Sequence, residues 1–298
     1  VAISLDDGTT EAIARIESHD TYKDLFYRLS LAENTHLAPP YTSLFEEWSD
    51  LPRQLWRKCK KNLGYPSTQD VGILGDYIKQ LRQQAEEHLG EPISIAAAAF
   101  PNLIALYLED VKDAFEWAGL NYEAFHSHHP MRAVSGQYAA NGFGLCSNYK
   151  VKELCKEEDK QLPIQRTVNI EFTKEALIVE VPLMRVARSS ILYPSDTFVD
   201  FELGYNGRDV SPKYWDSVKA RIVNFFKYHN AENWNDSWTP SKVFVVGDES
   251  VQDEHFRSVI TDACFWKKDE LQFFDDDVFF KTAKGTAELA RRQLYSRG

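Results

Sequence analysis

At 298 residues and 43% hydrophobic content, the chain is long enough to bury a sizeable core and to divide into two lobes. Its formal net charge of −11, with no basic stripe to offset it, argues against nucleic acid or an anionic membrane surface as a partner. No run of eighteen apolar residues occurs, so no segment is expected to span a membrane.

Residues 1–16 read as a hairpin, with an apolar strand Val1–Leu5, a turn Asp6-Asp7-Gly8-Thr9-Thr10, and a second strand Glu11–Ile16. Residues 20–30 read as a helix, and 31–52 as loop, punctuated by Pro39, Pro40 and Pro52. Val71, Leu74, Ile78, Leu81 and Ala85 recur at helical spacing and predict a helix over Asp70–Leu89, with Asp70 as N-cap and Gly90 and Pro92 as its stop. Ile93–Phe100 has the length of a buried strand, and a helix from about Leu103 to Ala118 follows, closed by Gly119.

The second half opens with another strand pair, Thr167–Phe172 and Ala176–Leu183. Next come a helix over Pro212–Tyr228, a Trp-rich loop, the strand Lys242–Val246 ending at Gly247, and helices over Asp253–Ala263 and Val278–Tyr295. Hairpin, insertion, helix, central strand and helix thus occur twice, which predicts an α/β fold built by internal duplication. The expected division is a first lobe over 1–160, with an insertion at about 20–68, and a second over 161–298, with a reduced insertion at about 184–241.

Cys59, Cys146, Cys155 and Cys264 include no CxxC pair, so a structural zinc site is not expected. Cys146 and Cys155 flank a short polar loop, which leaves two readings open: a local disulfide in a secreted protein, or two thiols in a cytoplasmic one, with the cytoplasm slightly favoured. Asn235-Asp236-Ser237 is a glycosylation acceptor compatible with secretion, and the absence of an initial Met is compatible with removal of an upstream segment.

The stretch from Leu81 to Leu120 is the most specific. It carries Ala85-Glu86-Glu87-His88-Leu89-Gly90, the strand ending at Phe100-Pro101, then Asp113-Ala114 and Ala118-Gly119-Leu120. With that spacing the chain resembles the actin-like ATPase superfamily of duplicated ribonuclease-H-like lobes. It is most similar to the heat-shock 70 nucleotide-binding domain and looks like the divergent heat-shock-70-like proteins of filamentous fungi. The resemblance implies ATP or ADP with magnesium in an interlobe cleft, and it can be carried over piece by piece.

Asp6-Asp7-Gly8-Thr9-Thr10 is similar to the first phosphate loop. Gly8 permits the tight turn, Thr9 and Thr10 would cradle phosphate, and Asp6 would reach a magnesium-bound water. Gln137–Leu145 and Lys284–Ala290 resemble the two connecting helices, whose small residues allow close approach. The second phosphate loop departs from the family. Where three glycines should follow an Asp, the chain has Glu171-Phe172-Thr173-Lys174-Glu175, so side chains and a carboxylate replace bare N–H groups. Lys174 reads as a solvated turn lysine or, alternatively, as a grip on phosphate. The adenosine loop, Val246-Gly247-Asp248-Glu249-Ser250, keeps one glycine and adds two carboxylates.

Three functions are therefore weighed. The first is a degenerate nucleotide-binding fold that serves as a binding or scaffold module with a protein partner. The others are a weak ATPase using Asp6, Gly8, Thr9, Thr10 and Lys174, with Glu171 as a second carboxylate and Gly247 at the adenosine, and a small-molecule kinase-like enzyme. Among the remaining features, His126, His128 and His129 read as a solvated turn rather than a metal site. Asp275-Asp276-Asp277 reads as an acidic helix cap and Lys152–Lys160 as a solvated loop. The segment Trp234-Asn235-Asp236-Ser237-Trp238 reads as a partner or carbohydrate platform or as lobe packing.

Overall fold

The computed structural model describes residues 1–126, 128–229, 239–266 and 270–295; the Trp234–Trp238 segment with its glycosylation acceptor lies outside them. The fold is mixed α/β. Its helices are α1 (Asp20–Ser30), α2 (Leu44–Asn62), α3 (Gln69–Leu89), α4 (Leu108–Trp117), α5 (Ala133–Ala140), α6 (Lys152–Gln161), α7 (Tyr214–Tyr228), α8 (Glu254–Ala263) and α9 (Lys281–Tyr295).

The main sheet lies in the second half and has the strand order Thr197–Asp200, Leu177–Glu180, Val168–Phe172, Lys242–Gly247, Gln272–Phe274. The first two junctions are antiparallel and the last two parallel. Side chains alternate between the faces of a strand, and Val168, Ile170 and Phe172 therefore join Leu177, Val179, Val243 and Val245 in one buried layer. Val218, Ile222 and Phe226 of α7 and Phe256 and Ile260 of α8 cover that layer, and Phe172 stacks on Phe256 at 4.0 Å. Phe225 is buried on α7 beside them.

In the first half, Leu25 and Leu29 of α1, Val71 and Leu74 of α3, and Val111, Ala114 and Phe115 of α4 share a second core. The anticipated strand Ile93–Phe100 is reduced to two fragments. Ile95–Ala96 pairs in parallel with Asn121–Tyr122, and Ala99–Phe100 with Met131–Arg132. Four successive alanines give a ladder little side-chain surface to pack. The Ala2–Ser4 and Thr10–Ala12 hairpin is antiparallel as expected, but shorter.

Three local expectations change. Residues 44–62, within and beyond the expected loop, form α2, capped by Ser43, whose Oγ accepts from Glu46 N at 3.3 Å; Pro52 sits inside the helix. The cap of α3 is Thr68, which accepts from Val71 N at 3.1 Å, while Asp70 in the first turn pairs with Arg28 at 2.5 Å. Lys152–Lys160 is helical (α6) rather than loop, because the Cys146–Cys155 disulfide anchors it and buried Asp159 pairs with Arg188 at 2.5 Å. The disulfide is compatible with a secreted protein.

Helices α5 and α9 cross between the two cores at a pair of facing glycines. A Cβ on Gly285 would lie 1.8 Å from the Gly136 carbonyl oxygen, and one on Gly136 would lie 2.5 Å from the Thr282 carbonyl oxygen. Gly285 belongs to the stretch read as the second connecting helix, whereas Gly136 lies one residue before the stretch read as the first, whose helix ends at Ala140. Tyr138 and Leu289, one on each helix, share a third core with Met131, Met184 and Phe244.

Candidate functional site

The other face of the main sheet sets a polar cluster among apolar residues such as Ile178, Phe244 and Val246. Register places Asn169 opposite Glu180 and Glu180 opposite Thr197, with Glu171 two positions further along the strand from Asn169. All four look toward the first half. Glu180 is fully buried. One of its oxygens accepts from Asn169 Nδ2 at 2.9 Å and the other from the Asn102 backbone N–H at 3.0 Å, while Asn102 Nδ2 donates to Thr197 Oγ1 at 2.9 Å.

This enclosure sets the charge states. Burial, then the nearby carboxylates of Glu180 and Asp248, pushes Glu171 up to about 7. Burial also raises Glu180, against the opposing pull of its hydrogen bonds and of Arg132. Arg132 is half-buried, and burial lowers its pKa despite the Glu180 charge. Tyr22 of α1 is raised by burial and by the Glu171 charge, which places it on the same cluster. A cavity of about 200 Å³ opens beside Tyr22, lined also by Arg15, Tyr77, Leu81 and Phe279.

The turn read as the second phosphate loop lies at the end of this face, with its donors committed. Lys174 N donates to Asp248 Oδ2 at 2.7 Å, the Lys174 ammonium pairs with Glu249, and the Ala176 N–H donates to Thr173 Oγ1 at 3.1 Å. Glu175 pairs with Lys23 of α1 at 2.8 Å. Gly247 is where the turn and the Asp248–Ser250 segment touch. It adopts φ +149°, and a Cβ there would fall 1.8 Å from the Phe172 carbonyl oxygen. Glu171, Lys174 and Gly247 are thus brought together at the ends of adjacent strands. The contact between them is protein to protein.

The first loop is elsewhere. Gly8 makes its turn at φ +88°, its N–H donates to Leu5 O at 2.9 Å, and both the N–H and the hydroxyl of Thr9 donate to Asp7 Oδ1, at 2.8 and 2.7 Å. Thr10 is in the second strand, opposite Ser4. Asp6 Oδ1 accepts from Tyr295 OH at 2.9 Å, at the C-terminal end of α9, whereas Gly247 N donates to Val278 O at 3.2 Å, just before α9 begins. The 15 residues of α9 span roughly 20 Å between those points. It is Arg15, past the open end of the hairpin, that meets Glu249, at 3.6 Å. Among the described residues, no hydrogen bond or ion pair joins Asp6–Thr10 to Thr173–Glu175.

Other candidates resolve structurally. His126 and His129 are half-buried with ring centroids 4.4 Å apart, and burial, then His129, lowers His126 to about 4; only His128 matches the solvated turn expected. Asp276 and Asp277 pair with Lys281 at 2.5 Å and Lys284 at 2.7 Å at the start of α9, where the Asp277 carbonyl accepts from the Lys281 N–H at 2.9 Å, and Asp275 pairs with Arg257. Among the described residues, the one cluster of metal-ligating types is Cys146, Cys155 and Asp159, whose two sulfurs are joined. A second cavity, of about 300 Å³ between α1 and α3, has an apolar floor, and its rim cations Arg28 and Arg53 are paired with Asp70 and Asp50.

Sequence reasoning missed Glu180, Asn169, Asn102 and Arg132. The alternation in Val168-Asn169-Ile170-Glu171-Phe172 was the available signal, since an inward polar pair on a central strand demands partners. No family model matches the chain, and no curated protein matches it.

Proposed function

We propose that this chain is a degenerate nucleotide-binding fold, of the actin-like and heat-shock-70-like type with a reduced second insertion, that has given up phosphoryl transfer and serves as a protein-binding module. One observation carries the reading: the donors a phosphate would need in the second loop are spent within the protein, with Lys174 held by Glu249 and its N–H by Asp248. Phosphoryl transfer depends on positioning and on stabilising negative charge. Here Glu171, Glu175, Asp248 and Glu249 surround the place instead, and the Asp6–Thr10 turn does not converge on it. ATP or ADP with magnesium does not fit these residues, and no chemical step is assigned to them. The glycine-lined crossing of α5 and α9 supports the ancestry, because it is the part of the inherited frame that packing alone retains.

Catalysis has one observation in its favour: Glu171, held at about 7, would be poised as a general base. Calorimetric titration with Mg-ATP and with Mg-ADP decides the matter. The expected result is no binding heat with either, and micromolar binding of either would overturn the degenerate reading.

A further inference from the structure

Helix α2 is amphipathic the wrong way round. Its inward face carries Asp50, Arg53, Gln54, Arg57 and Lys61, which meet the acidic edge of α4. Arg57 bonds Asp110 and Asp113, both at 2.7 Å; Lys61 bonds Asp113 and Glu116, both at 2.8 Å; and Arg53 bonds Glu109. Its outward face carries Leu44, Phe45, Trp48, Leu51, Leu55 and Trp56, exposed at 73, 81, 71, 42, 58 and 61%. Whole aromatic side chains bury roughly 150–250 Å² each. The patch therefore exceeds the roughly 300–600 Å² of an ordinary monomer's largest patch and approaches the roughly 800 Å² that each partner buries in a stable interface.

The charges beside the patch say what covers it. Glu47 and Lys58 are exposed and eleven residues apart, three helical turns, so they share one edge of the apolar stripe at opposite ends. We propose that the outward face of α2 is the interface of a homodimer in which two copies of the helix pack antiparallel about a two-fold axis between Pro52 and Arg53. That symmetry maps an edge onto itself with its direction reversed. Glu47 of each copy then meets Lys58 of the other, twice per dimer. Trp48 lies against Trp56 of the second copy, and Leu51 and Leu55 close the centre. A parallel pairing would carry that edge to the opposite side of the interface in the second copy, so Glu47 and Lys58 would meet neither each other nor themselves. The inward ion pairs hold the helix so that its apolar face cannot rotate into the chain's own core. The interface does not rest on the nucleotide reading, and titration with nucleotide leaves it untouched.

Sedimentation equilibrium of the 298-residue chain over a concentration series tests it, with circular dichroism as the check on folding. The wild type is expected to be a dimer at micromolar concentration. Trp48→Glu is expected to be a folded monomer, because Trp48 contacts solvent in the single chain. Glu47→Lys and Lys58→Glu are each expected to weaken dimerisation about tenfold when alone. Mixed one to one, they are expected to form a heterodimer at least as tight as the wild type, because each charge regains an opposite. A wild type that stays monomeric to about 100 µM, on the scale of ordinary association constants, would overturn the proposal. So would a monomer whose tryptophan fluorescence shifts only on phosphatidylcholine vesicles, or a dimer that the mixture does not restore.

Discussion

Gly136 and Gly285 face each other across the crossing of α5 and α9, with no room for a methyl group on either. Replacing Gly285 by Ala must push the helices apart or distort the Gly136 backbone, and the third core would open with them. Overpacking typically costs 1–3 kcal/mol; with backbone as the obstacle, we expect a loss of about 3 kcal/mol in urea denaturation for Gly285→Ala. Gly90→Ala meets no atom within 4 Å and is strained only by its φ of +73°, which should cost about 1–2 kcal/mol; a loss for Gly285→Ala no larger than that would show that the crossing is not the cause.

Glu171 makes stability depend on pH in a sense opposite to most carboxylates. Its folded pKa of about 7 lies above the ordinary 4.5, so between those values the folded state holds a proton that the unfolded state has lost. Stability therefore falls as pH rises from about 4.5 to 7. At about 1.4 kcal/mol per unit of pKa, the loss is on the order of 3 kcal/mol. Glu171→Gln should be neutral at pH 4 and stabilising at pH 8. Parallel denaturation curves at the two values test this, and a variant destabilised equally at both would refute it.

Arg57 is almost fully buried between Asp110 and Asp113. Truncating it leaves Asp110 without its counter-charge and Asp113 with Lys61 alone. Breaking a buried pair from one side costs about 3–5 kcal/mol, so Arg57→Ala should lower the thermal midpoint steeply. Arg57→Met, with both aspartates changed to Leu, should recover most of it.

Cys146 and Cys155 close a loop with a sequence separation of 9 and fasten α6. Loop closure of that length contributes about 2–3 kcal/mol. Alkylation of the denatured protein should label two thiols without reductant and four with it, and dithiothreitol should lower stability by that amount. Four labelled thiols in unreduced protein would show that the bond is not formed.

Much of this was legible in local pattern. The periodicity of α3, the run Lys242–Gly247 and the small residue at Gly285 act through neighbours in sequence or through space a side chain would fill. The polar cluster was half legible: Asn169 and Glu171 alternate with apolar residues, but nothing near them in sequence names Asn102 or Arg132 as partners. Helix α2 was hidden because Pro39, Pro40 and Pro52 signal loop, and because its stabilising contacts reach Glu109–Glu116, fifty or more residues away. The strand at Ile93–Phe100 looked stronger than it is, since hydrophobicity was counted where side-chain bulk was lacking. The separation of the two loops depends on which way the first hairpin points, a property of its docking on α9.

The two halves are unequal in how their backbones are held. Five strands share one ladder system in the second half, while the strand pairs of the first are two or three residues long. Amide protons of Ile170 and Val245 are therefore expected to exchange only when the whole molecule opens, whereas those of Ala96 and Ala99 escape through small local openings. In a protein so built the second half is expected to serve as a fixed mount, while local opening is confined to the short strand pairs of the half that carries α2.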